Sequence, residues 1–257
     1  KYDSPESLVV IENIMSVKME SELDSTIDLA ITRGTFYGWD KEVEYNISFF
    51  GDKGKNPFYE FIRTKFKSQY KRMIKYGRRN VSWSTVAPTG TVSLMARTTS
   101  GVEPLFAPYY RRRKKVNVMD KTARVDFIDE TGEKWQEFNV VHPKFELWFE
   151  EYSKLNPDKI KCSDTLEFCS KSELDSLYEV SPWYGAIAPE INWEKRVEIQ
   201  SIIQKYVSHS ISSTINLPTD VSEEEVSKIY LNSWKSGLKG ITVYRDGSRD
   251  GVLLTDD

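Results

Sequence analysis

A short stretch rich in hydroxyl side chains, residues 87–93, is the part of this sequence best suited to bind an anion. It reads Ala-Pro-Thr-Gly-Thr-Val-Ser, follows the strand-like run 80–86 and leads into an apolar run typical of a first helical turn. The first N–H groups of a helix have no partner within it, and the helix dipole favours negative charge there. Gly90 lets a ligand approach the backbone, and Thr89 and Thr91 add hydroxyls that bond phosphate oxygens. The pattern predicts a phosphate-binding loop, although an ordinary loop with a polar helix cap has the same local sequence.

The cysteines and histidines of the chain do not form a catalytic or metal-binding pattern. Cys162 and Cys169 lie in a polar stretch, and their spacing matches no thiol redox motif. Neither His142 nor His209 stands at ligand spacing to them, so we predict no metal site. The cysteines also give no framework for a secreted disulfide scaffold, and the N-terminus has no apolar signal segment. We therefore expect a cytoplasmic protein.

Helical spacing of apolar residues predicts two helices before the loop. The first begins at the start signal Asp3-Ser-Pro-Glu6 and stops at Gly34, and the second opens at Pro57 and closes at Gly77. The apolar positions of the first helix that we expect to face the core are Leu8, Ile11, Ile14, Met15, Leu23, Ile27 and Ile31. Further helices are predicted after His142-Pro143, after Asn192 and after the capping box Ser222-x-x-Glu225.

Alternating patterns predict strands on both sides of the chain's middle segment. A hairpin is predicted over residues 125–140, with its turn at Thr131-Gly132. Strands are predicted at 210–217 and 241–244, on either side of a helix, and this strand–helix–strand order implies a parallel pair. We interpret the segment 150–190, which is polar and interrupted by prolines, as a surface insertion with short helices.

Composition and charge describe a globular chain without an obvious polyanionic partner. The 257 residues are 39% hydrophobic and 29% charged, with a formal net charge of −3. The basic run 109–116 lies in a predicted strand, where alternate side chains face opposite ways, so only part of its charge shares one face. No apolar run reaches the roughly 18 residues of a membrane span. We expect no nucleic-acid partner and no membrane.

Several blocks of the sequence, taken in order, resemble one protein family. They are residues 87–93, Ser100-Gly-Val-Glu-Pro104, Ser213-Thr-Ile-Asn-Leu-Pro218 and Gly237-Leu-Lys-Gly-Ile-Thr-Val-Tyr-Arg-Asp-Gly-Ser-Arg249. Together they are similar to the C-terminal part of the catalytic chain of class II ribonucleotide reductase, the adenosylcobalamin-dependent type. The resemblance runs from about residue 80 to residue 251, whereas 150–190 carries no pattern of the family.

The resemblance implies an α/β fold, the C-terminal half of a ten-stranded α/β barrel completed by another chain or a missing segment. Half a barrel exposes strand edges and a core face, so it should need a partner. The family's chemistry needs a thiyl radical in an Asn-x-Cys-x-Glu loop, a pair of reducing cysteines and usually a Cys-x-x-Cys tail, and none of these patterns occurs here. We therefore expect residues 1–257 to be a fragment or one piece of a split enzyme, with the radical loop on a second chain, adenosylcobalamin bound jointly and a higher oligomer.

The resemblance also implies site residues. Those that match the family loop for substrate phosphates are Pro88, Thr89, Gly90, Thr91 and Val92, with Ala87 and Ser93 as flanking candidates. Tyr244 stands at the carboxyl end of the last strand, where α/β folds place their sites. Because Arg245 follows it in place of a second Tyr, we interpret Tyr244 as active-site lining rather than a radical relay. No residue is assigned a catalytic role.

The implied function is the radical conversion of ribonucleotides to deoxyribonucleotides, with this chain supplying the phosphate loop. An alternative of another class is a non-catalytic, nucleotide-binding or scaffolding relic of the same fold, which predicts a stable monomer. A third interpretation, RNA binding through the basic run, requires strong salt-dependent affinity. The sequence leaves open whether the substrate is a diphosphate or a triphosphate, which effectors and reductant act, and what Cys162 and Cys169 do.

Overall fold

The computed structural model of the chain describes residues 1–41, 44, 57–117, 122–159 and 165–248. Its first element is the 29-residue helix α1, Pro5–Arg33. Ser4 caps this helix by accepting a hydrogen bond from the Ser7 N–H (3.3 Å), and Gly34, with φ 77°, ends it. The predicted start and stop of the first helix are confirmed.

Some apolar residues of α1 that the helical spacing assigned to the core face outward instead. Leu23 and Ile27 are buried as predicted, whereas Ile14 and Ile31 are 60% and 51% exposed. The helix packs against only part of the fold, on the later helices α3 (Lys67–Tyr76) and α7 (Trp193–Gln204), so its remaining turns face outward. Among the described residues no helix, α1 included, is both long enough and apolar enough to cross a bilayer.

Two helices, α2 (Pro57–Lys65) and α3, replace the single helix predicted before Gly77. The break falls at Phe66, whose backbone (φ −116°, ψ 55°) is not helical and whose side chain is buried. The core that these helices share with α1 consists of Met19, Leu23, Ile27, Ile62, Phe66, Met73 and Tyr206. Burial of the Phe66 ring in this core accounts for the break.

An antiparallel sheet in the order β1-β3-β2 is built from β1 (Tyr109–Lys115), β2 (Phe127–Ile128) and β3 (Lys134–Val141). The turn between β2 and β3 is the predicted one, with Gly132 at φ 81°. One Asp129 carboxylate oxygen accepts hydrogen bonds from the Thr131 and Glu133 N–H groups, both at 2.9 Å. The hairpin is therefore confirmed, and a single carboxylate organises its turn.

The basic run of β1 is paired with acidic side chains of β3 and of the turn before it. Arg113 Nε lies 2.8 Å from Glu137 Oε1, and Arg111 Nη1 lies 3.6 Å from Glu137 Oε2. Lys115 pairs with Glu133. These contacts reduce the positive potential that the run would otherwise present.

The middle of the chain adds α5 (Pro143–Leu155) and α6 (Lys171–Glu179). Their shared core consists of Phe145, Leu166, Cys169, Leu174 and Leu177. Cys169 is 2% exposed and disulfide-bonded, so it is not a free thiol, while Cys162 lies outside the described residues. The buried Asn139 amide of β3 donates to the Leu166 and Cys169 carbonyls (3.0 and 2.8 Å), which ties this cluster to the sheet.

A second sheet is parallel and contains β4 (Thr214–Leu217) and β5 (Thr242–Arg245), joined by helix α8 (Glu223–Lys235). The predicted strand–helix–strand unit is confirmed. One half of the predicted capping box is present, because Ser222 Oγ accepts a hydrogen bond from the Glu225 N–H (3.2 Å). The Glu225 carboxylate instead accepts from Trp193 Nε1.

The run 80–86 pairs as a strand only at its last residue. Val86 forms an isolated parallel bridge with Ile211. Its N–H donates to the Ser210 carbonyl (3.5 Å), and its carbonyl accepts from the Ser212 N–H (2.8 Å). The strand prediction is wrong for the residues before Val86.

A serine hydroxyl explains why the strand is so short. The Trp83 and Ser84 N–H groups donate to Ser208 Oγ, at 3.2 and 3.0 Å. Side-chain acceptors of this kind compete with the regular ladder for backbone donors. The chain is therefore held beside residues 208–212 without forming a regular strand.

Truncation of Ile229 tests whether α8 is held by packing. We expect Ile229→Ala, at a position with 0% exposure, to lower the free energy of unfolding by about 2–5 kcal/mol through lost burial and a cavity. Leu231→Ala, at a 50% exposed position of the same helix, is the control and should change it by about 0.5 kcal/mol or less. Urea unfolding measures both, and equal losses would contradict the placement of α8.

Candidate functional site

The candidate loop leaves the parallel sheet directly after Val86 and enters helix α4 (Gly90–Ala96). Thr89 precedes this helix with φ 49° and ψ 30°, a left-handed conformation that a β-branched residue rarely adopts. Such backbone costs of order 1–3 kcal/mol and persists only where the surroundings impose it. The turn 100–103 provides those surroundings.

Two hydroxyls of the loop bond to the loop itself and to that turn. Thr89 Oγ1 accepts a hydrogen bond from the Gly101 N–H (3.0 Å). Ser93 is buried, and its Oγ donates to the Gly90 carbonyl (2.7 Å) and pairs with Ser100 Oγ (3.0 Å). These hydroxyls therefore hold the loop in shape. The sequence alone did not show whether they would bond to the loop or to an anion.

The backbone of the loop keeps unpaired donors at its surface. Within the described part of the chain, the N–H groups of Gly90, Thr91 and Val92 have no acceptor, as is usual at a helix start. All three residues are exposed, and a Cβ on Gly90 would meet nothing within 4 Å. An anion can therefore reach these amides directly.

The turn 100–103 packs tightly against the base of the loop. The Glu103 N–H donates to the Ser100 carbonyl (3.1 Å) and closes the turn. Gly101 has φ 51°, and a Cβ there would lie 3.3 Å from both the Ala87 carbonyl oxygen and Val86 Cγ1. Only glycine combines this backbone conformation with so close an approach.

Glu103 makes a long-range contact that sequence reasoning missed. Its Oε1 accepts a hydrogen bond from the Thr214 N–H at the start of β4, at 2.6 Å. The carboxylate also interacts electrostatically with the buried Arg196, whose Nη1 donates to Asn216 Oδ1 (3.3 Å). Thr214 lies 111 residues after Glu103, so no local sequence pattern predicts this hydrogen bond. The one sequence signal was that Glu103 belongs to the block 100–104, together with Gly101.

Tyr2 completes this polar cluster. Its hydroxyl donates to the Val102 carbonyl, which ties the start of the chain to the turn. Burial raises the pKa of Tyr2 to about 12, with the Arg196 charge opposing the rise and the Glu103 charge adding to it. Burial also lowers the pKa of Arg196, and Tyr2 and Glu103 oppose that shift.

Tyr244 lies in the predicted strand β5, opposite Asn216 of β4, and is half-buried. Val86 pairs in parallel with Ile211, and β4 continues that segment beside β5. The three segments therefore run in the same direction, and the candidate loop leaves beside the start of β4. Tyr244 lies further along the same direction, because its partner Asn216 comes five residues after Ile211.

The histidines hold structural positions. His142 Nδ1 accepts from the Lys144 N–H (3.2 Å) and caps α5, and burial, with a smaller contribution from the Lys144 charge, lowers its pKa. The His209 N–H donates to the Ser84 carbonyl, on the amino side of Val86. In the ranges that the structure describes, no three His, Cys, Asp or Glu side chains gather in a way that could hold a metal ion.

An α/β fold with a parallel strand pair, followed by a loop with exposed backbone amides, defines the general class of this protein. The family match is more specific than this general class. The ribonucleotide reductase barrel-domain family matches residues 1–244, and the chain belongs to that family.

Its relatives include vitamin B12-dependent enzymes. The chain is 31% identical over 179 residues to a vitamin B12-dependent ribonucleoside-diphosphate reductase from Mycobacterium tuberculosis (strain CDC 1551 / Oshkosh), covering 69% of this chain and 23% of the relative. It is 26% identical over 254 residues to the enzyme of that name from Thermoplasma acidophilum, covering 99% of this chain and 27% of the relative. The chain thus spans about a quarter of these relatives' length.

A solved structure agrees on the fold. The class Id ribonucleotide reductase alpha subunit of Actinobacillus ureae superposes with a TM-score of 0.53 at 18% identity, over 96% of this chain and 35% of that one. At this identity the likeness concerns the fold alone.

Alanine at Gly101 tests the close approach between turn and loop. We expect Gly101→Ala to lower the free energy of unfolding by about 2–3 kcal/mol, through both backbone strain and the contact with Ala87. Gly132→Ala is the matched control, because Gly132 has φ 81° but a Cβ there meets nothing within 4 Å; its cost should be about 1 kcal/mol. Chemical denaturation separates the two, and equal costs would contradict the tight packing at Gly101.

Removal of the Tyr2 hydroxyl tests the polar cluster through its pH dependence. Because folding raises the pKa of Tyr2 from its usual value of about 10 to about 12, the neutral phenol contributes stability that is fully present below pH ~10. That contribution is lost as the pH rises through about 12. The stability advantage of wild type over Tyr2→Phe should therefore shrink between pH 10 and 12 in thermal unfolding.

Tyr37 provides the control for this titration because its side chain is fully exposed. Tyr37→Phe should match wild type across the same pH range. A constant difference between wild type and Tyr2→Phe from pH 9 to 12 would show that the Tyr2 phenol is not buried against Val102.

Proposed function

We propose that this chain is part of a ribonucleotide reductase and supplies the loop that holds the substrate's phosphates. The observation that carries the proposal is the family match over residues 1–244, supported by relatives named as vitamin B12-dependent ribonucleotide reductases. The proposed phosphate site consists of Pro88, Thr89, Gly90, Thr91 and Val92, flanked by Ala87 and Ser93. The reaction replaces the ribose 2′-OH with hydrogen and yields a deoxyribonucleotide: a dithiol is oxidised to a disulfide, and the hydroxyl leaves as water.

The work of this chain is to bind and orient. The free N–H groups of Gly90, Thr91 and Val92 donate to phosphate oxygens, and the exposed Thr91 hydroxyl adds a further donor. Thr89 and Ser93 hold the loop rigid through their bonds to the turn 100–103. An anchored phosphate fixes the ribose relative to the radical centre, which removes orientational freedom before the reaction.

The radical centre belongs, on this proposal, to another chain or segment that carries an Asn-x-Cys-x-Glu loop. The present chain would be the C-terminal half of a ten-stranded α/β barrel and would work in a higher oligomer. Exposed apolar side chains beside the loop support a covering partner: Val92, Leu94 and Met95 are 63%, 79% and 82% exposed. Apolar residues clustered in this way mark an interaction surface.

Adenosylcobalamin would supply the initiating radical to the assembled enzyme. We propose that it binds jointly to this chain and to the segment that carries the radical loop. Tyr244 is proposed as active-site lining because it is half-buried at the carboxyl edge. We retain 150–190 as a proposed surface insertion, whose helix α6 packs on Phe145 of α5.

Substitution of Gly90 tests the phosphate site. A Cβ on Gly90 has open space in the free protein, so Gly90→Ala should keep the melting temperature while hindering the approach of an anion. We expect inorganic pyrophosphate to bind Gly90→Ala about tenfold more weakly than wild type in calorimetric titration. Gly240→Ala, where the nearest contact is 3.9 Å, is the control and should bind like wild type. Wild-type protein that binds no pyrophosphate would overturn the site.

Reconstitution tests the reaction. Purification under native conditions, with identification of every co-purifying chain, should yield a partner with an Asn-x-Cys-x-Glu sequence. The complex should form deoxyribonucleotides when adenosylcobalamin, a dithiol and ribonucleotides are added. A lone monomer that binds nucleotide without turnover would instead support the non-catalytic relic.

A further inference from the structure

The parallel pairing at Val86 stops one step before the loop. In a parallel ladder, donors two residues apart bond to carbonyls two residues apart on the neighbouring segment. The Ser212 N–H donates to the Val86 carbonyl (2.8 Å), so a continued ladder would pair the Thr214 N–H with the Pro88 carbonyl. That bond is absent, because the Thr214 N–H donates to Glu103 Oε1 at 2.6 Å.

The Glu103 carboxylate therefore occupies the place of the next ladder acceptor. A buried backbone N–H without an acceptor is costly, so a chain that leaves a sheet needs a substitute for the bond it gives up. With Glu103 in that place, Pro88 is released from the sheet and the chain can turn into the loop. A carboxylate is also a stronger acceptor for an N–H than the carbonyl that it replaces.

The same turn reaches the loop from a second direction. Two residues before Glu103, the Gly101 N–H donates to Thr89 Oγ1 (3.0 Å), beside the backbone that adopts the left-handed conformation. Ser100 Oγ pairs with the buried Ser93 Oγ of α4 (3.0 Å). Movement of Glu103 would therefore be transmitted to both ends of the loop.

The Glu103 carboxylate also interacts with a buried positive charge. Arg196 is 4% exposed, and burial lowers its pKa, a shift that the Tyr2 and Glu103 charges oppose. A buried guanidinium requires a nearby negative charge. Glu103 thus accepts from the Thr214 N–H and opposes the effect of burial on Arg196.

We propose that Glu103 is a positioning residue for the phosphate loop: it replaces the missing ladder bond to Thr214 and so fixes the backbone of residues 88–92. The inference rests on the proposed function, because positioning the loop matters only if the loop binds phosphate. The effect of Glu103 on the loop backbone can nevertheless be measured without a ligand. Glu103 itself does not contact the phosphates on this proposal.

The test uses three variants of the full 257-residue chain. Glu103→Ala removes the acceptor, and Glu103→Gln keeps an oxygen acceptor without the charge. Glu225→Ala is the matched control, because it removes a carboxylate that accepts from Trp193 Nε1 in α7, a contact that involves neither the loop nor its turn. The first readout is the set of backbone amide resonances in the ligand-free state, and the second is the affinity for inorganic pyrophosphate.

We expect Glu103→Ala to shift the amide resonances of Thr89, Gly90, Gly101 and Thr214 and to bind pyrophosphate about tenfold more weakly. Glu103→Gln should restore most of the affinity and most of the resonance positions. Glu225→Ala should leave the loop resonances and the affinity unchanged even where it lowers the melting temperature. This pattern distinguishes positioning from a general loss of stability.

Two results would separate the inference from the proposed function. Loop resonances that do not move in Glu103→Ala overturn the positioning role, whatever the wild-type affinity is. Loop resonances that move in Glu103→Ala and return in Glu103→Gln support that role even if wild type binds no pyrophosphate, in which case the phosphate site itself is overturned. If Glu103→Ala does not fold, failure of Glu103→Gln to retain wild-type loop resonances overturns the inference.

Discussion

The parallel pairing of Val86 with Ile211 is the constraint on which the rest of the structure depends. It brings the segment before the loop beside the strand that continues into β4, and β5 then aligns with β4. A chain that leaves such a sheet must leave no buried donor unpaired. The turn 100–103 meets that requirement through Glu103, and the same turn holds Thr89 in its left-handed conformation.

Packing of the N-terminal helices α1, α2 and α3 against Tyr206 supports this arrangement. The Tyr206 ring is fully buried among residues of α1, α2 and α3, and its hydroxyl donates to Glu12 Oε1 (2.9 Å). Lys65 bonds to both of these groups. Because Tyr206 lies between α7 and the segment that pairs with Val86, this contact ties the N-terminal helices to the strands. The exposed apolar residues of α1 and α4, such as Ile14 and Met95, lie outside this packing.

Much of the fold followed from local patterns in the sequence. The cap at Ser4, the stop at Gly34 and the hairpin turn at Gly132 each depend on residues close in sequence, and each was predicted. The parallel pair β4–β5 also followed, because a crossover helix between two strands leaves little choice of topology. The break at Phe66 was missed, because burial of one ring overrode a continuous helical pattern.

The sequence by itself determined the candidate loop, since the Pro-Thr-Gly-Thr pattern and the start of α4 are local, and it pointed to the family through blocks that lie far apart along the chain. Only the tertiary structure decided which of the loop's groups face outward. Thr89 and Ser93 turn to Gly101 and Ser100, whereas the amides that follow Thr89 stay free. It also revealed Glu103, because a hydrogen bond across 111 residues depends on how distant segments pack and not on any local preference.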